Sequence, residues 1–299
     1  MNSILPLTIV FMILSTGCKS NSGSVALSQE LHDAIEAVVQ TQPNAVVAVS
    51  IIDPSTSTEY HRNGDRLFHA ASMMKVPVLI ELYCQTDLGR IGLDDSLDVH
   101  NRFRSIVDGS EYAIEDDSDD DVYEKLGRRM SIRDLAYQMI TVSSNLATNL
   151  LIQFLSADSV QTTSERLGTT NMITLRGVED LKAYERGQSN RATSRDLAVL
   201  MEAIRTETAV SPAADRDMLG ILLKQRFNEM IPEGLPERVL VAHKTGQITE
   251  INHDAAIVIP ETGESYVLVI LTEGLAEPDD SAELGADLAR AVHGVLRPE

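Results

Sequence analysis

Strand-like segments at the two ends of the chain, and only there, constrain the fold more than any other feature. Val46 to Ile52 is β-branched and apolar, Asp53-Pro54-Ser55-Thr56 carries turn chemistry, and Thr58 to His61 resumes an extended pattern, which together predict a hairpin. Far along the chain, Val239 to Gln247, Ala255 to Ile259 and Tyr266 to Thr272 predict three more strands. Nearly everything between has helical period: Val76 to Tyr83, Ser131 to Ile140, Leu146 to Leu155, Arg195 to Ile204 and Met218 to Leu223. Residues 28 to 41 place Leu31, Ile35 and Val38 on one face behind Ser28 as N-cap, and residues 281 to 296 do the same with Leu284, Leu288, Val292 and Val295. Strands supplied by both chain ends around a helical insertion predict an α/β (α+β) fold. One antiparallel sheet flanked by helices comes from residues 28–66 and 234–299, and a mainly helical part from residues 67–233. The junction of the two parts is a natural cleft.

Composition narrows the function. The 45 acidic residues outnumber the 25 basic ones for a net charge of -20, so no basic face is available to displace counterions and nucleic acid is excluded as a partner. Aromatic residues make up 4% with no Trp, which leaves the core to aliphatic side chains and removes base-stacking platforms. The run Glu115 to Asp121 lacks the Gly and Glu spacing of a calcium loop and reads as a solvated acidic loop. The seven histidines form no His-x-x-x-His or His/Cys cluster, so neither a metal nor any other cofactor is expected.

Residues 1–17 contain no charged side chain and form an apolar stretch too short to span a membrane, which reads as an export signal. Leu14-Ser15-Thr16-Gly17-Cys18 resembles a bacterial lipoprotein cleavage site, although Ser15 stands where an aliphatic residue is usual and the leader lacks Lys or Arg. The resemblance implies lipidation of Cys18, a flexible tether over residues 18–27, and a periplasmic or cell-envelope location; a monomer is expected. Cys84, inside an apolar helical pattern, reads as a small core residue.

Three motifs carry chemistry. Phe68-His69-Ala70-Ala71-Ser72-Met73-Met74-Lys75 leads into an apolar helix and places Ser72 and Lys75 on one helical face, so that an amine with a lowered pKa can take the hydroxyl proton. Ser143-Ser144-Asn145 falls in a turn between two helices, and His243-Lys244-Thr245-Gly246 ends a strand. Singly, each reads as a helix cap or a polar strand terminus. No G-x-S-x-G elbow surrounds any Ser, which disfavours a Ser-His-Asp triad on His243 or His253.

In this order and on these elements, the three motifs resemble the signature of penicillin-binding proteins and class A serine β-lactamases over about residues 28 to 296. The resemblance implies a β-lactamase-like fold and acylation of Ser72, with Lys75 taking or relaying its proton and Ser143 passing a proton to the leaving nitrogen. It assigns Asn145 to the substrate amide and to fixing Lys75, and Lys244 and Thr245 to the substrate carboxylate. Ser72 and Gln247, beside Gly246, would supply the oxyanion-binding N–H groups, and His253 falls where many β-lactamases carry a carboxylate-binding Arg. The deacylating Glu of an E-x-x-L-N segment maps onto Glu179, but Ala183 stands where the family has Asn, and Ser144 replaces the usual Asp. Glu179 and Asp180 read equally as loop carboxylates paired with Arg176 or Lys182. The implied substrate is a β-lactam or an acyl-peptide. Three outcomes stay open: a β-lactamase, a D,D-peptidase or esterase, and a sensor of penicillin or peptidoglycan that acylates and stops.

Overall fold

The computed structural model describes residues 21–115 and 117–298, with side chains from Ala26 onward. The predicted export signal and Cys18 lie outside the described residues. Helix α1 spans Asn21–Val39, so Asn21 to Ala26 are helical where the sequence predicts a flexible tether, and Ser28 lies inside the helix rather than capping it. Leu31 and Ile35 of α1 are fully buried against the sheet and the last helix.

Five strands, β1 (Val46–Asp53), β2 (Thr58–Arg62), β3 (Leu240–Ile248), β4 (Ile251–Ile259) and β5 (Tyr266–Glu273), form one sheet in the order β2-β1-β5-β4-β3. All its pairings are antiparallel. Alternation along the strands sends side chains to two cores. Val47, Val49, Ile51, Leu268 and Ile270 pack under α1 and the C-terminal helix. Ala48, Val267, Val269 and Leu271 face the helical part.

The helices are α2 (Lys75–Asp87), α3 (Ile132–Thr141), α4 (Asn145–Leu155), α5 (Ala157–Arg166), α6 (Leu181–Glu185), α7 (Ser194–Arg205), α8 (Pro212–Leu222) and α9 (Pro278–Leu296). Periodicity does not predict helix α5, because its sequence offers Val160 as its one strongly apolar residue. Ser156 caps it by accepting the Ser159 N–H at 3.2 Å, and Val160 is fully buried. Among the described residues no helix is long and apolar enough to cross a membrane. Strand β3 is an edge of the sheet, and its outer side meets the turn that carries Ser72.

Candidate active site

Ser72 lies on a 3-10 turn, Ala71–Met74, that runs into α2 with Lys75 as its first residue. The chain reaches this turn through a left-handed residue: Ala71 has φ 45°, a conformation that costs a residue with a Cβ about 1–2 kcal/mol. The neighbours hold it there. His69 Nδ1 accepts the Ala71 N–H at 3.0 Å, and the Asn190 carbonyl accepts the Ala70 N–H at 2.9 Å. Gly246 of β3 is pressed against the same turn, where a Cβ would stand 2.9 Å from the Ser72 nitrogen and 3.2 Å from that of Met73. Any side chain there would displace Ser72.

His253 requires a correction. Its ring is fully buried beneath the Ser72 turn, edge-on to Phe68, so it cannot touch a substrate carboxylate. Nε2 lies 3.0 Å from the His69 carbonyl, and Nδ1 lies 2.9 Å from the Asn252 carbonyl and 3.3 Å from the Thr272 nitrogen. Burial holds its pKa down at about 4. His253 props up the segment before Ser72.

Lys75, Ser143, Asn145 and Lys244 do converge. Lys75 Nζ donates to the Ser143 carbonyl at 2.5 Å, to Ser143 Oγ at 3.1 Å and to Asn145 Oδ1 at 2.9 Å. Lys244 Nζ reaches the same Ser143 Oγ at 2.9 Å and the Thr245 carbonyl at 2.7 Å. Both amines are fully buried. Desolvation lowers the Lys75 pKa to about 7 against the pull of Asp117 and Glu179, and it lowers that of Lys244 well below the ordinary value, with the neighbouring Lys75 adding to the effect. Ser143 holds its oxygen between the two amines because it sits at φ 59° in the α3–α4 turn, and Ser144 then caps α4 by accepting the Ala147 N–H at 3.1 Å.

Glu179 joins the same network from a loop. Its Oε1 accepts Asn145 Nδ2 at 2.7 Å, so one amide side chain spans Lys75 and Glu179. Glu179 is left-handed at φ 60°, and the preceding residues are clamped by α4, where Asn149 accepts the Val178 N–H at 2.6 Å and donates to the Val178 carbonyl at 3.0 Å. At Gly177 a Cβ would fall 2.1 Å from Asn149 Oδ1, which explains the glycine. Asp180 turns away, accepting Ser105 Oγ at 2.8 Å and the Ile106 N–H at 2.9 Å, and Lys182 pairs with Asp108. Asp180 therefore spends its oxygens on the 105–106 segment, and Lys182 on Asp108, rather than on each other. Ala183 is fully buried with its N–H on Asp180, so no side-chain amide stands at that position.

The acidic loop is likewise not simply solvated. Asp117 folds back over the start of α4, accepting the N–H groups of Asn145 at 2.9 Å and Leu146 at 2.8 Å, where a helix terminus favours negative charge. Ser118 donates to the Val142 carbonyl, and Asp121 accepts Gln138 Nε2 at 2.8 Å. Sequence reasoning gives no role to Asp117 or Asn149. Asn149 has a readable signal, since it lies four residues after Asn145 on the same face of α4. Asp117 has none, because its partner is separated from it by 28 residues.

A family model described as the beta-lactamase enzyme family matches residues 30–296. The chain belongs to that family. It is 25% identical to a β-lactamase of Rhodobacter capsulatus over 285 residues, covering 92% of this chain and 93% of the relative. Among solved structures it is similar to the β-lactamase from Sphaerobacter thermophilus DSM 20745, with a TM-score of 0.77, 25% identity, and 90% of this chain and 98% of the other covered. It is also similar to PBP-A, with a TM-score of 0.80, 26% identity, and 91% and 97% covered. A point mutant of PBP-A, described as an acyl-enzyme complex with penicillin G, aligns with a TM-score of 0.79 at 25% identity over 91% of this chain and 98% of that one. Family membership bears out the resemblance drawn from the three motifs, and it supports a serine hydrolase. In this β-lactamase-family chain, Ser72, Asn145, Glu179 and Gln247 line two adjoining recesses, one of about 330 Å³ and one of about 1000 Å³. Thr245 and Ser143 border the larger.

Proposed function

We propose that the protein hydrolyses β-lactams through an acyl-enzyme on Ser72 that is released by water activated at Glu179. The observation that carries this reading is the Asn145 amide, which holds Lys75 on its oxygen at 2.9 Å and Glu179 on its nitrogen at 2.7 Å at the edge of the Ser72 cleft. It couples an acylation base to a deacylation base.

With a pKa of about 7, Lys75 is partly neutral at neutral pH, and a neutral amine donates only two of its three present hydrogen bonds, so one contact is released and a lone pair becomes available to the Ser72 proton. Ser72 Oγ bonds to the substrate carbonyl carbon, and the oxyanion is received by the N–H groups of Ser72 and Gln247, on the turn and edge strand that meet at Gly246. Ser143 Oγ accepts from both lysines, which leaves its own proton to pass to the leaving nitrogen as the C–N bond breaks, and Lys75 returns the proton taken from Ser72. Lys244 is buried and occupied, so it acts on a substrate carboxylate through its potential, while Thr245 supplies the hydroxyl contact. Glu179 then takes a proton from water as the water oxygen attacks the acyl carbon; the bond from that carbon to Ser72 Oγ breaks, and the proton held by Glu179 passes to Ser72 Oγ, which restores both side chains.

Ala183 favours a second reading, a D,D-peptidase or esterase, or a sensor that acylates and stops, because the water lacks an amide anchor at that position. The proposal extends to an exported monomer tethered through a lipid on Cys18. A chromogenic cephalosporin and a fluorescent penicillin separate the readings. Turnover without retained label, lost in Ser72→Ala, is expected; stoichiometric retained label without turnover would transfer the assignment to the peptidase or sensor.

A further inference from the structure

The turn that carries Ser72 is held from behind by a side chain that the proposed mechanism does not use. Ala71 is left-handed at φ 45°, and its N–H donates to His69 Nδ1, two residues back along the chain, at 3.0 Å. Among the described residues that N–H makes no other hydrogen bond. Ala71 immediately precedes Ser72, and Gly246 presses on the far side of the same turn. The position of His69 is fixed without help from Ser72. Its backbone pairs antiparallel with Arg191, its carbonyl lies 3.0 Å from His253 Nε2, and its ring stands edge-on to Tyr184 of α6 with centroids 5.8 Å apart.

A backbone N–H can only donate, so Nδ1 must be unprotonated, and a neutral ring then carries its one proton on Nε2. His69 is half-buried and borders the smaller recess beside Ser72, where it can exchange protons with solvent. A second ring proton would set one N–H against another across 3.0 Å, and the ring or the turn would have to move. Burial lowers the pKa of His69 from its ordinary value, and the positive charges of Arg176 on the Glu179 loop and Arg191 on the paired segment add to the effect. Glu179 and Asp180 border the same recess with their oxygens on Asn145 and on residues 105–106, and the Tyr184 ring and the buried, neutral His253 bring no charge.

We infer that His69 is a positioning residue for the nucleophile: its unprotonated Nδ1 holds Ala71 left-handed and keeps the Ser72 N–H and Oγ in place for acyl transfer, and protonation of the ring releases them. This rests on the acylation reading of Ser72. Acylation then requires two groups without their protons, Lys75 and His69.

The test measures the second-order acylation rate constant by rapid-quench labelling with a penicillin, from about pH 4.5 to 8.5, in the wild type, His69→Ala and His69→Asn. An Asn side-chain oxygen accepts the N–H two residues on and does not titrate. At about pH 8, His69→Ala is expected to acylate about 30-fold more slowly and His69→Asn within about threefold of the wild type. The logarithm of the wild-type rate constant should fall with a slope of about one below about pH 7, where Lys75 takes its proton, and steepen toward about two at lower pH as His69 follows; in His69→Asn the slope should stay at about one. Other groups that titrate in this range are common to both proteins, so the difference in slope is decisive even where His69→Ala fails to fold. Wild-type acylation by His69→Ala, equal losses in His69→Ala and His69→Asn, or the steeper limb retained in His69→Asn would each overturn this inference and leave the proposed function standing. Absence of any Ser72 adduct in the wild type would overturn both.

Discussion

Ser72, Lys75, Ser143 and Lys244 stand on or directly beside regular elements, whereas Glu179 stands on a loop whose shape comes from side chains clamping its backbone. In the first group the 3-10 turn, the α3–α4 turn and the edge strand β3 each deliver one or two functional atoms, and packing on both faces of the sheet fixes those elements. In the second, Asn149 grips Val178, Asn190 Oδ1 accepts the N–H groups of Leu175 and Arg176 at 2.8 and 3.2 Å, and Asp180 ties the loop to residues 105–106. Under the proposed mechanism the difference separates the chemistry: acylation would depend on the folded scaffold, and deacylation on a few side-chain-to-backbone hydrogen bonds. Each of those contributes on the order of 1 kcal/mol and is lost singly.

The contrast breaks most severely at Lys75. Lys75→Met should lower the acylation rate about 10⁴-fold, measured by rapid-quench labelling with a penicillin, while raising thermal stability. The gain in stability has a defined pH dependence. Because the folded pKa of about 7 lies below the ordinary 10.5, the native state binds its proton at a cost that is complete below about pH 7 and fades as pH rises toward 10.5. The melting-temperature advantage of Lys75→Met should therefore be largest in acid and shrink in alkali. Gly246→Ala comes next: its Cβ, 2.9 Å from the Ser72 nitrogen, should cost roughly 10²-fold in acylation by displacing an oxyanion donor, with a melting curve that remains cooperative.

Asn149→Ala sharpens the contrast, since it releases the Glu179 loop without touching Ser72. Deacylation should slow about tenfold while acylation changes less than about threefold, a split visible in pre-steady-state burst kinetics. The smallest expected effect is at Asp117, whose charge favours protonated Lys75. Asp117→Asn should move the acid limb of kcat/KM, set near pH 7 by Lys75, toward lower pH; an unmoved limb would detach that limb from Lys75.

The regular half of the site is also the legible half. Alternating apolar residues in Val46–Asp53 and Tyr266–Glu273 locate the sheet, and S-x-x-K, Ser-Ser-Asn and Lys-Thr-Gly locate three corners of the site, because local periodicity and motif spacing encode them. What sequence misses depends on contacts between distant segments. His253 has the composition of a substrate contact but points under the Ser72 turn, since its partner in the β3–β4 register, Gly246, is pressed against that turn. Asp117 sits in a run that looks solvated because its partners are backbone N–H groups, which leave no trace in the pattern of side chains. Ala183 is readable as a departure, and its burial beside Asp180 gives that departure a structural form.

If Ser72 is acylated from the scaffold and released by Glu179, the two steps must come apart when that carboxylate alone is removed. Glu179→Gln, mixed with benzylpenicillin and analysed by acid quench and intact-mass spectrometry, tests this most directly. The expected result is an adduct of one penicilloyl group on Ser72 that forms nearly as fast as in the wild type and persists about 10²–10³ times longer. An adduct that disappears at the wild-type rate would contradict it.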